Sequence, residues 1–131
     1  MHISILAIHE QSNLSTIACM AGAYEILTEA YQFSANNKKT KNLKLELVCA
    51  SDSQLLESNL FLLKPQRSIQ NIEKTDLIII PASLVRSYGT ASKNNQLFID
   101  WINSQYKKGA EVASMCTGIF MLAATGLMTQ K

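Results

Sequence analysis

The residues from 110 to 126 carry the one arrangement in this chain that could do chemistry. Residues 110–115 are mostly small and apolar and have the length of a strand. The chain then turns at Cys116 and continues as a helical pattern, with Ile119, Leu122 and Ala123 on one face and Gly126 placed as a helix C-terminal glycine. A strand that runs directly into a helix, with a nucleophilic side chain at the joint, is the geometry of a nucleophile elbow. A helix start also favours a thiolate, through its dipole and its unpaired N–H groups. The competing reading of a single cysteine in apolar surroundings is an inert packing thiol.

The elements that must hold Cys116 follow from periodicity. Residues 3–8 are almost continuously apolar, as in a strand covered on both faces of a parallel sheet. Residues 9–13 form a polar loop in which Ser12 or Asn13 can cap the next helix. From 14 to about 33, Leu14, Ile17, Ala18, Ala21, Tyr24, Leu27 and Tyr31 recur at helical spacing. Residues 34–42 read as a polar loop, 43–50 as a second strand nearer an edge, and 54–64 as a small hairpin. In the connector 65–74, Ile69 and Ile72 are expected to tuck inward. Residues 76–81 form the clearest central strand, a β-branched run closed by Pro81. After a loop at 82–92, a helix from Asn94 or Asn95 to Lys108 would bury Leu97, Ile99, Trp101, Ile102 and Tyr106. Lys107, Lys108 and Gly109 end it.

Strands alternating with helices, several of them of the buried type, predict a doubly wound, mostly parallel α/β sheet with helices on both faces. Ligands in such sheets sit beyond the carboxyl ends of the strands, where the strand order reverses. That rule gathers His9 and Glu10 after the first strand, Pro81, Ala82 and Ser83 after the 76–81 strand, and Cys116, Thr117 and Gly118 after the elbow strand around one candidate pocket.

Composition narrows the function classes. The chain has 131 residues, 47% hydrophobic and 17% charged, enough for one domain with a substantial core. A net charge of +2 is too small to mark a nucleic-acid surface. No run approaches the roughly 18–20 apolar residues that span a bilayer, so no membrane association is expected. Cys19, Cys49 and Cys116 form no CxxC pair and leave an odd thiol, which fits a reducing cytoplasm. No metal and no cofactor is expected.

Residues 114–123, Ser-Met-Cys-Thr-Gly-Ile-Phe-Met-Leu-Ala, resemble the elbow of the ThiJ/PfpI superfamily, whose members have the flavodoxin-like fold of class I glutamine amidotransferases. Cys-Thr-Gly, then an aromatic-Met-Leu-Ala run and Thr-Gly-Leu, is similar to the sensor domain of AraC-type transcriptional regulators in that superfamily. The opening strand, the helix with Gly22-Ala23-Tyr24-Glu25, and the 76–81 strand occur in the same order. The resemblance implies that Glu25 approaches Cys116, where a protonated carboxyl could hydrogen-bond the sulfur. It also implies that residues 1–131 are a partial domain, because the superfamily continues with further strands and helices. AraC-type regulators then add a helix-turn-helix, so DNA would be reached only through a domain absent from this chain.

Two departures from the superfamily enzymes bear on activity. Their Gly-Gly pair after the central strand is Ala82-Ser83 here, which keeps backbone donors for an oxyanion but not glycine's conformational freedom. The histidine that often follows their cysteine is Thr117. Without a base, an activated nucleophile lacks its usual partner. The resulting expectation is a non-catalytic sensor that binds an unidentified small-molecule effector and forms a homodimer. The alternative is a cysteine-dependent hydrolase, amidase or glyoxalase-like enzyme.

Overall fold

The structure is a computed structural model that describes residues 1–8, 13–36, 42–51, 56–57, 60–83 and 93–129. The chain opens with β1 (His2–Leu6), α1 (Leu14–Asn36) and β2 (Lys44–Cys49). A small antiparallel pair follows, β3 (Leu56–Glu57) with β4 (Leu62–Leu63), then β5 (Arg67–Ser68) and β6 (Leu77–Ile80). The last elements are α2 (Lys93–Lys107), β7 (Glu111–Ser114), a 3-10 turn over Cys116–Gly118, and α3 (Ile119–Ala124). The main sheet has the order β5-β2-β1-β6-β7 and every pairing in it is parallel. β1 pairs on one side with β2 and on the other with β6, so the chain's direction of travel across the sheet reverses at β1. The crevice at the carboxyl ends of β1 and β6 is therefore the topological switch point.

The unbroken apolar runs are explained by two cores, one on each face of the sheet. Ile3, Ile5, Ala7, Leu47, Cys49 and Ile79 meet Ile17, Met20 and Ala23 of α1. Leu6, Ile8, Val48, Ile78 and Ile80 meet Phe98 and Ile102 of α2 and Met121 of α3. Alternate residues of each strand thus supply opposite cores. The connector before β6 packs as expected, with Ile69 and Ile72 buried. It is held to α2 by Gln105, whose side chain accepts from Thr75 N–H at 3.1 Å and donates to the Glu73 carbonyl at 3.2 Å.

Several helix faces differ from the periodicity reading. In α1, Ala18 and Ala21 are exposed, whereas Thr16, Met20 and Ala23 are buried. In α2, Phe98 is only 1% exposed and Tyr106 is 43% exposed. The turn over Cys116–Gly118 is 3-10 rather than α-helical, and in α3 Met121 is the buried residue while Ile119 and Ala123 are exposed. The helix ends match: Asn13 Oδ1 accepts from Thr16 N–H at 2.9 Å, and Gly109 and Gly126 have φ of 97° and 78°.

At the amino ends of the strands, Asp76 Oδ2 accepts from His2 N–H at 2.7 Å. This backbone hydrogen bond, helped by the nearby N-terminal ammonium, Lys74 and His2, holds the Asp76 carboxyl below the ordinary aspartate range against the opposing effect of burial. A carboxyl depressed on folding stabilises the fold above its unfolded-state value and loses that contribution as pH falls through its folded-state value. Asp76→Asn should therefore lower stability at neutral pH and flatten the acid limb below about pH 4. Urea unfolding midpoints measured between neutral and acidic pH check this.

Candidate functional site

The elbow is built from three backbone features. β7 ends with Met115 N–H donating to the Ile80 carbonyl at 2.8 Å, so the chain leaves the sheet in register with the end of β6. Met115 is extended (φ −114°, ψ 132°). Cys116 then turns sharply at φ 51°, the one non-glycine residue with positive φ among the described residues. Gly118 N–H donates back to the Met115 carbonyl at 2.9 Å and closes the turn. Gly118 must be glycine, because a Cβ there would lie 2.5 Å from both the Ile80 and Pro81 carbonyl oxygens. The strained corner, expected from sequence, is present, and it leaves the Cys116 side chain exposed.

The cleft beside Cys116 has a volume of about 500 Å³ and is lined by Asn13, Ser15, Thr16, Ala82, Ser83, Thr117 and Phe120 as well as the cysteine. It lies at the switch point, where the amino end of α1 faces the chain leaving β6. Thr117 ties the two sides together. Its hydroxyl accepts from Ser83 N–H at 3.0 Å and donates to the Ser83 carbonyl at 2.7 Å. Ala82 N–H donates to Cys19 Sγ at 3.4 Å, and Cys19 in turn contacts Met115 Sδ at 3.9 Å. Both backbone donors that sequence reasoning assigned to an oxyanion are therefore engaged within the protein. Ser83 Oγ, by contrast, is buried with no hydrogen-bond partner among the described residues.

The structure brings together Ala82, Ser83, Cys116 and Thr117, with Gly118 buried beneath the turn. His9 and Glu10 lie outside the described residues. Glu25 is not brought to Cys116. It is exposed and lines a different cavity, with Tyr24, Lys64 and Gln66. The reason is helical geometry: Glu25 follows Thr16, which does line the cleft, by nine residues. That spacing is about 13 Å along the axis and about half a turn around it. Sequence reasoning missed Asn13, Ser15, Thr16 and Phe120. The first three had a signal, because an Asn cap just after the first strand must sit at the switch point. Among the described residues lining the cleft, no carboxylate or imidazole stands beside the sulfur.

The chain matches no family model and no curated protein. It does superimpose on solved structures. A proposed transcriptional regulator from Vibrio parahaemolyticus aligns with a TM-score of 0.79 at 23% identity, over 99% of this chain and 63% of that one. The DJ-1 superfamily protein Atu0886 from Agrobacterium tumefaciens aligns with a TM-score of 0.59 at 17% identity, over 97% of this chain and 59% of that one. This chain has the DJ-1/ThiJ/PfpI fold. It spans about three fifths of the length of either neighbour. Among the described residues no helix is long and apolar enough to cross a membrane.

Proposed function

We propose that this DJ-1/ThiJ/PfpI-fold domain is the ligand-sensing part of an AraC-family transcriptional regulator, non-catalytic and cytoplasmic, with its effector site at the Cys116 cleft. The observation that carries this reading is the engagement of Ser83 N–H by Thr117 and of Ala82 N–H by Cys19. An acyl-transfer site keeps such donors free for the charge that develops in the transition state. Here they brace the cleft walls instead. The likeness to a proposed transcriptional regulator supports the same reading. DNA contact belongs to a domain outside this sequence, and a second copy of the chain is the expected partner. β7 stands at the end of the sheet, and Ile26 and Leu62 are exposed apolar residues available for self-association.

The enzyme reading draws on the strained corner and the exposed thiol. Assays with p-nitrophenyl acetate, simple amides and methylglyoxal separate the two. The expected result is turnover indistinguishable between the parent chain and Cys116→Ser. Turnover lost specifically in Cys116→Ser replaces the sensor reading with the enzyme one. Sedimentation equilibrium tests the homodimer.

A further inference from the structure

A second cavity, of about 360 Å³, opens between α1 and the chain that follows β4, and it shares no lining residue with the Cys116 cleft. Its floor is apolar, made by Met20 of α1, Leu47 of β2 and Leu63 of β4. Four polar side chains line it, and two of them, Gln66 and Tyr24, are hydrogen-bonded to each other. Gln66 is locked at both ends of its amide: Oε1 accepts from Leu47 N–H at 2.7 Å, and Nε2 donates to Tyr24 Oη at 3.2 Å. With that acceptor position filled, the Tyr24 hydroxyl has its own hydrogen left to donate, and no acceptor takes it among the described residues. Glu25 stands on the helix wall and Lys64 on the facing chain, and neither makes an ion pair among the described residues.

An apolar floor with a few convergent polar groups is the usual form of a small-molecule site, and the volume is within the usual range. One unpaired anion, one unpaired cation and one hydroxyl donor around an apolar floor complement a zwitterion with an apolar tail. We infer that this cavity binds a free α-amino acid with a leucine- or phenylalanine-like side chain. Its ammonium meets Glu25, its carboxylate meets Lys64 and the Tyr24 O–H, and its side chain lies on Met20, Leu47 and Leu63. This site is separate from the one proposed at Cys116 and does not depend on it.

Isothermal titration of the whole chain with L-leucine and L-phenylalanine tests the assignment. Isovaleric acid and isoamylamine are the controls, each offering only one of the two charges. One of the amino acids should saturate a single site and bind roughly tenfold more tightly than either control. Glu25→Gln and Lys64→Met should each weaken that binding by roughly tenfold. Ala21→Leu, an exposed helix position on the cavity wall, should abolish it with the fold intact by circular dichroism. No binding of either amino acid at millimolar concentration overturns the inference. So does equal binding of the controls, or binding that survives both charge substitutions.

Discussion

Gly118→Ala should lower the stability of this domain by about 3 kcal/mol, near the top of the usual range for overpacking a close-fitting site. The added Cβ would stand 2.5 Å from two backbone oxygens, those of Ile80 and Pro81. The Ile80 oxygen cannot rotate aside, because it accepts from Met115 N–H at 2.8 Å and ends β6, which is paired on both sides in the sheet. Relief requires the turn to lift away from β6, which would pull Thr117 from Ser83 and open the cleft. For a domain of this size the melting temperature should fall by roughly 10 °C, and the urea midpoint should fall with little change in slope. Gly22→Ala is the matched control. It lies within α1 with nothing within 4 Å of the new Cβ, so better helix propensity should stabilise the protein by about 0.5–1 kcal/mol. Two identical substitutions with opposite signs separate close approach from glycine content. A Gly118→Ala protein as stable as the parent would show that the turn does not rest on the end of β6.

What the sequence made legible depends on which physical signal each element carries. Residues 3–8 and 76–81 announced themselves as two-sided strands because both faces of the sheet are covered, leaving no polar alternation. The sharp turn at Cys116 was legible because a small-residue strand, a cysteine and a glycine two positions later fit a backbone requirement, and backbone requirements restrict residue type sharply. Helix faces were less legible. α1 has alanines on several sides, so Ala18 and Ala21 looked as suitable for the interior as Met20 and Ala23 do. In α2, Leu97, Phe98, Ile99, Trp101 and Ile102 are apolar over too wide an arc to fix the rotation. Tertiary packing chose Phe98 and Ile102. Glu25 shows the weakness of carrying a role over by sequence position alone: an offset of a few residues on a helix moves a side chain to another face and another cavity.

Substitutions at Cys116 should produce an inverted stability series, with glycine best and a β-branched residue worst. At φ 51° an L-residue incurs a steric cost of about 1–2 kcal/mol. Cys116→Gly removes that cost and gives back part of it as unfolded-chain entropy, for a net gain of about 0.5–1 kcal/mol. Cys116→Val adds a branch where positive φ is least tolerated and should lose roughly 2 kcal/mol. Cys116→Ala and Cys116→Ser keep the strain and should stay within about 0.5 kcal/mol of the parent. The side chain is exposed, so little burial is lost in any of these changes. Urea unfolding of the four variants reads the series directly. A cysteine that strains the backbone and adds little to packing is not there for stability, which is the physical ground for placing a site at this corner. Equal stabilities for the glycine, alanine and valine variants would mean that residue 116 does not occupy a left-handed turn, and the thiol would then be an ordinary surface group.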